Sequence, residues 1–414
     1  MNLHRTISIL TLACSLSLLR AHAADAPPRF TAPDAPRRLI YNDDGHGVFY
    51  GGQAHDAASL RKGPLALRDT HVGIFQWCVT LGTKVNYPSK IAELVGEGMT
   101  PAQLAAVRTG DRVVISKLAQ LRDEGTDTLA TIAEGCRAAG LRCFASIRMN
   151  PVYPVIADGW EGESMARMFN SRFWWEHPEL RVIKRTGTPH LALSYAFPQV
   201  RERVLAIVRE VLERDIDGID LDFLRHPPFV GHEEAVVAAY RASTGLDAFA
   251  VPENDPAWLR FRAQHMTQLV REIRRELDAA AVRKGRLFGL SARLDHERHL
   301  LWGCDLDVWL KEDLLDILVV SRHGLGGWEF DLRPFVEKAR GTHCKVFLGE
   351  EATIAGRDPK PSDEVKGKIA KPTATHMTEA MWIERARQWY AQGASGIHIF
   401  NSAPQSVLKT LDAP

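Results

Sequence analysis

The run Ile216-Asp217-Gly218-Ile219-Asp220-Leu221-Asp222-Phe223 decides how this chain folds. Its alternation of Ile and Leu with acids reads as a strand. Asp220 and Asp222 share parity, so both point to one side of it. Upstream lies a helix opened by Pro198, with an apolar stripe of Val200, Val204, Ile207, Val208, Val211 and Leu212. Downstream, Asp255-Pro256 opens another, striped with Leu259, Ala263, Met266, Val270, Ile273 and Leu277. Helix, strand, helix is the unit of a parallel sheet covered by helices.

The same unit recurs in both directions. β-rich runs stand at Arg38–Asp43, His71–Trp77, Leu141–Arg148, Leu287–Arg293, Asp316–Ser321, Lys345–Gly349 and Gly396–Phe400. A last helix, Glu379–Gln392, stops at Gly393 and leads into the final run. With the central run this makes eight strands, the number that closes an α/β (β/α)8 TIM barrel. The gaps after strands 2, 3 and 4 each exceed 60 residues, far more than one helix needs, and predict long loop insertions over one face.

Composition agrees with a globular enzyme-sized domain: 414 residues, 45% hydrophobic and 25% charged. Basic and acidic side chains number 52 and 51, so neither a nucleic-acid partner nor a membrane surface is expected. The N-terminus reads as a signal peptide, residues 1–23. It has a basic start, an apolar Ile7–Leu19 and the small-x-small Ala21-His22-Ala23, with cleavage near Ala23. A lipoprotein signal ending at Cys14 fits less well, because Thr11 stands where an aliphatic residue is wanted. A periplasmic or secreted location is therefore expected. No membrane span is expected, since no run of 18 apolar residues occurs. Residues 24–36 read as a Pro/Ala-rich lead-in, and 37–410 as a single barrel domain. The five remaining cysteines, Cys78, Cys136, Cys143, Cys304 and Cys344, form no Cys-x-x-Cys, which argues against a disulfide scaffold or zinc ribbon. Cys136 shares an apolar helical face with Leu129, Ile132 and Ala133 and reads as core.

Barrel active groups gather at the C-terminal ends of strands. Here those ends carry Asn42-Asp43-Asp44-Gly45, Gln76-Trp77, Arg148-Met149-Asn150, Asp222, Arg293-Leu294-Asp295, Ser321-Arg322-His323, Glu350-Glu351 and Asn401. Two acids stacked inside a barrel are costly unless paired or used. In the functional reading Asp222, nearer the strand end, reacts and Asp220 tunes its proton affinity. The structural reading, in which Arg and backbone donors saturate both, stays open. The insertion Phe169–Pro178 offers Trp174 and Trp175 as stacking surfaces for a sugar, or as half-buried core. Paired carboxylates with Asn, Arg, His and Trp, and without a serine elbow, phosphate loop or dinucleotide fingerprint, suit hydrolysis of glycosidic bonds in a carbohydrate substrate without a cofactor. No metal site is expected, because the 16 histidines include neither His-x-His nor His-Glu-x-x-His.

The stretch Ile216–Pro227 (IDGIDLDFLRHP), following a helix that opens Pro-x-Val-Arg-x-x-Val, resembles the strand-four signature of the family 10-like glycosyl hydrolases. Tyr240–Asp247, Trp258–Arg262, Gly393–Asn401, Asn42–Gly45 and Arg148–Asn150 are similar to that group as well. The resemblance implies a (β/α) barrel that hydrolyses a bacterial or algal glycan. It places Asp222 at the group's acidic strand-four position, as nucleophile or base. The Asp217-x-x-Asp220-x-Asp222 string also resembles the family 18 chitinase signature, but Leu224 stands where that family has its catalytic Glu, so that mechanism is not carried over. The proton donor is then expected to be Glu350 first and Asp295 second. Arg148, Asn150, Arg225, His226 and His323 are expected around the sugar, with Asp43, Asp44, Gln76, Trp77, Arg293 and Asn401 at the other strand ends. Arg148, Arg225 and Arg293 hint at an acidic or sulfated glycan. A non-catalytic glycan-binding barrel and a metal-assisted hydrolase or lyase are the alternatives.

Overall fold

The computed structural model describes residues 28–45, 47–50, 54–150, 152–153, 162–224, 227–322, 329–357, 363–365, 368–369 and 371–411. Eight parallel strands close a barrel: β1 Leu39–Asp43, β2 Val72–Cys78, β3 Arg142–Arg148, β4 Gly218–Asp222, β5 Gly289–Asp295, β6 Ile317–Ser321, β7 Lys345–Glu351 and β8 Gly396–Phe400. They are joined in chain order, with β8 pairing back to β1. Each lies within two residues of its run in the sequence at either end, so the (β/α)8 expectation holds.

The covering helices start and stop where their signals stand. We label the main ones α1 Ala57–Leu65, α2 Thr128–Ala139, α3 Pro198–Val211, α4 Pro256–Lys284, α5 Leu306–Lys311, α6 Arg333–Ala339 and α7 Glu379–Ala391. Asp255 caps α4 by accepting from Trp258 N at 2.9 Å, with Pro256 in the first turn. Asp127 caps α2, which ends at Gly140 in the left-handed region (φ 71°). Cys136 is buried on α2 as expected, and the other four cysteines from Cys78 onward are buried too. No helix among the described residues is long and apolar enough to cross a membrane.

Inside the barrel the side chains form successive levels. The floor is apolar: Ile40, Ile74, Phe144, Ile317, Val319 and Phe347 cluster with Phe30 and Ala32. Phe30 packs edge-on against Phe144 at 5.4 Å. The sequence reading placed Phe30 and Ala32 in the lead-in. They are instead the plug of the barrel, so the packed domain extends upstream of Arg37. Gly218 and Gly289 make room for the Phe144 ring, since a Cβ on either would lie 2.5 Å from it.

The insertions follow β2, β3 and β4, and β7 is followed by a further one that the sequence reading did not single out, a ribbon of Thr353–Gly356 with Ala374–His376. The insertion after β2 is anchored by buried Glu210 of α3, which accepts from Tyr87 Oη at 2.9 Å and Lys90 N at 2.6 Å.

Candidate active site

Strand alternation sorts the expected residues into those that face the barrel interior and those that do not. Gln76 Nε2 lies 3.4 Å from Ser291 Oγ across the barrel, so the Gln76 face of β2 is the inner one. Above the apolar floor runs a polar level. Gln76 Oε1 pairs with His398 Nε2 at 3.0 Å and accepts from Asn42 Nδ2 at 3.3 Å. Asp220 accepts from Ser146 Oγ at 2.7 Å and also from Ser291 Oγ. Burial, and secondarily the charge of Asp222, push the Asp220 carboxyl up to about 6, against the two serine hydroxyls that favour its ionised form. Burial holds the His398 imidazole well below its ordinary range, and the charge of Arg293 adds to this.

The uppermost inner level is charged. Arg148, Asp222 and Arg293 lie side by side in register on β3, β4 and β5. Asp222 is 2% exposed, accepts from Leu224 N at 3.0 Å, and has Oδ2 3.7 Å from Arg293 Nη1. Arg293 also reaches Glu351 at 3.3 Å and Ser321 Oγ at 3.1 Å, and lies 4.4 Å from the centroid of the Phe400 ring. Arg148 is fixed through its backbone N, which donates to Thr80 Oγ1 at 2.9 Å, and its Nη2 stands 3.7 Å from Asp44 Oδ2. Asp44 and Asn401 clasp each other across the ends of β1 and β8: Asn401 Nδ2 donates to Asp44 Oδ2 at 3.1 Å and Asp44 N donates to Asn401 Oδ1 at 3.2 Å. Next to them, burial and then the charge of Asp44 push the Asp43 carboxyl up to about 7. The Cys78 thiol, on the inner face of β2, is pushed up to about 12 by burial, although Arg148 opposes this.

Asp222, Arg148, Arg293, Asp44 and Asn401 are thus brought together, with Asp43 adjoining and Asp220 one level below. Other expected residues are not at the mouth. Glu350 has the opposite parity to Glu351 and faces α7, where Oε1 accepts from Trp389 Nε1 at 2.9 Å and Arg385 Nη1 at 3.1 Å. Burial pushes its carboxyl up to about 7, a value suited to a proton donor, but on the wrong side of the strand. Asp295, by contrast, ends β5 with the inner parity of Arg293; it is buried and accepts from Glu297 N at 3.0 Å and Arg298 N at 2.7 Å, which engages it in the turn that leaves the strand. Trp77 faces outward under the helices, stacked on Phe75 at 6.4 Å. Asn150 shares a chain spacing with Arg148, but β3 has ended. Its amide instead pins the ribbon Pro189–Leu193 through Leu193 O at 2.8 Å and Leu193 N at 3.1 Å. Trp174 is 1% exposed, with its indole donating to Leu191 O at 2.8 Å, so it is core. Half-buried Trp175 stacks edge-on against it at 4.9 Å, and the Arg167 guanidinium lies 3.8 Å from the Trp175 ring centroid. Arg225, His226 and His323 lie outside the described residues.

The sequence reading missed Glu351 as a site residue, together with the interior set Ser146, Ser291, Ser321, His398 and Phe400. Parity carries the signal for each of them. Counting in twos along each strand from one inner residue assigns the inner positions of that strand. Among the described residues no three His, Cys, Asp or Glu side chains are grouped so as to hold a metal ion.

A closed barrel of eight parallel strands with helices between them is a (β/α)8 TIM barrel. The chain belongs to the glycosyl hydrolase-like 10 family, whose sequence profile matches residues 103–322, just over half of it. That span holds Arg148, Asp222 and Arg293. Among curated proteins no sequence matches significantly. Among solved structures, β-galactosidase from the psychrophilic Marinomonas ef1 is similar with a TM-score of 0.53 and 11% identity, over 87% of this chain and 53% of that one. A glycoside hydrolase family 18 N-acetylglucosaminidase from Paenibacillus barengoltzii aligns with a TM-score of 0.43 and 13% identity, over 91% and 98%. A GH20 exo-β-N-acetylglucosaminidase from Vibrio harveyi aligns with a TM-score of 0.48 and 10% identity, over 92% and 54%. The chain therefore spans about half the length of two of these three.

Proposed function

We propose that this protein is an exported glycoside hydrolase whose reacting carboxylates are Asp222 and Glu351. The observation that carries the reading is that both acids face the barrel mouth and approach two nitrogens of the same Arg293 guanidinium, at 3.7 and 3.3 Å. Glycosidic cleavage needs two carboxyl groups at one site, one as nucleophile or base and one as proton donor. Asp222, buried and oriented by Leu224 N, takes the first role. Glu351, 26% exposed at its side chain, reaches a leaving-group oxygen and takes the second. Asp44, Asn401 and Arg148, at the neighbouring strand ends, are assigned to sugar hydroxyls, and the signal-like N-terminal sequence supports export.

The test is turnover by the mature protein on peptidoglycan strands and plant and marine polysaccharides. Asp222→Asn is expected to lose at least about 10³-fold in rate and Glu351→Gln about 10²- to 10⁴-fold. Both variants should retain the melting transition of the wild type. Sugar release undiminished by Asp222→Asn would overturn the assignment. Binding without turnover by the wild type would leave a glycan-binding barrel instead. An Asp43→Asn loss in place of the Glu351→Gln loss would move the proton donor to Asp43, whose raised carboxyl suits it.

A further inference from the structure

The two guanidiniums at the mouth are charged, buried and incompletely used. Arg148 is 7% exposed and Arg293 1%. Arg148 Nε and Nη2 and Arg293 Nη1 have no hydrogen-bond partner among the described residues. Arg148 Nη2 and Arg293 Nη1 stand 3.7 Å from Asp44 Oδ2 and Asp222 Oδ2, beyond hydrogen-bonding range, while Arg293 Nη2 reaches Glu351 at 3.3 Å.

Two buried ion pairs elsewhere in the molecule close to hydrogen-bonding distance. Arg274 meets Asp316 at 2.9 Å and Arg108 meets Asp111 at 2.7 Å. Leaving a buried donor unmade costs about 1–3 kcal/mol, so three at one place mark a spot prepared for another group. The Arg293 guanidinium is held in advance by Ser321, and both guanidiniums approach the Phe400 ring, at 5.8 Å for Arg148 and 4.4 Å for Arg293.

We propose that Arg148 and Arg293 form a receptor for an anionic substituent of the sugar bound at the mouth, a carboxylate or a sulfate ester, so that the substrate is an acidic glycan. This rests on the reading of the mouth as a glycan site. The converging atoms are all donors, and an acceptor-only group satisfies them with no donor left over, whereas a neutral hydroxyl brings its own proton. Planar guanidinium forks match the oxygens of either anion. Asp222, Asp44 and Glu351 outnumber the two guanidiniums by one charge, so the anionic group has to be recognised through the unmade guanidinium donors rather than through the net charge of the mouth.

The experiment supplies glycans in matched pairs: a polyuronate with its carboxyl-reduced form, and a sulfated galactan with its desulfated form. Turnover by the wild type and binding by Asp222→Asn are both measured. The acidic member of at least one pair is expected to be preferred about 10- to 100-fold, and which pair responds tells carboxylate from sulfate. Arg293→Lys, which keeps charge but loses the fork, is expected to narrow that ratio, and a ratio is insensitive to a partly folded preparation. Neutral members processed as well as acidic ones would overturn this proposal and leave the hydrolase standing. Acid-selective binding without turnover would support it while removing the hydrolase. Silence of every member in both measurements would overturn both.

Discussion

The floor and the mouth of this barrel are built by the same strands only a few residues apart, yet they answer to different chemistry. At the floor, Phe144 fills the space left by Gly218 and Gly289 and meets Phe30 in an apolar cluster. At the mouth, Arg148 and Asp222 follow Phe144 and Gly218 at even spacing along β3 and β4, and several guanidinium donors are left unmade. The apolar floor gains stability from burial and tight packing. The mouth holds uncompensated polar groups that the rest of the fold must tolerate, which is the usual mark of a working site.

The sharpest way to break this contrast is to cut each end separately. Asp222→Asn is expected to remove turnover by at least about 10³-fold while shifting stability by no more than about 1 kcal/mol. Phe144→Ala is expected to do the reverse, costing about 3–5 kcal/mol in urea unfolding with the turnover of the folded fraction largely kept. Equal damage to both properties in either variant would mean that floor and mouth are not separable.

The polar level between them has a pH signature of its own. Asp220 holds its proton to about pH 6 in the folded protein against an ordinary value of 3.8. The folded state therefore binds that proton more tightly than the unfolded state does. The associated stability is fully present below about pH 4 and is lost as the pH rises through 6, amounting to about 3 kcal/mol. Urea unfolding across pH 4 to 7 should show this decline in the wild type and lose it in Asp220→Asn. A wild-type curve parallel to that of Asp220→Asn would place the proton elsewhere.

The architecture was legible because a barrel repeats one pattern eight times, and each β-rich run with its helix constrains the next. Asp222, Arg148 and Arg293 were legible because they sit at inner-face parity on strands whose ends are clear in the sequence. The misplaced residues fail for different physical reasons. Trp77 and Glu350 are strand-end residues one position away from inner-facing neighbours, Cys78 and Glu351, and proximity to the end says nothing about the face. Asn150 fails differently: the two-residue spacing from Arg148 carries no orientation once the strand has stopped. Trp174 looks like a sugar platform in sequence, but its burial is set by Leu191 and Arg181, which come from a ribbon that periodicity does not announce.

The smallest expected effect tests that argument at its narrowest point, the adjacent acids Glu350 and Glu351. Glu350 spends its buried carboxyl on Arg385 and Trp389 of α7, outside the barrel, whereas Glu351 lies at 3.3 Å from Arg293 within it. Removing the charge at Glu350 leaves the mouth intact, since the peptide between the two residues is held in the β7 ladder by β8. Glu350→Gln is therefore expected to keep turnover within about threefold of wild type, where Glu351→Gln loses about 10²-fold or more. Steady-state rates of the two variants on one substrate decide it. A large loss in Glu350→Gln with an unchanged melting temperature would mean that the outer carboxyl takes part in the chemistry and that parity is not what selects the reacting acid.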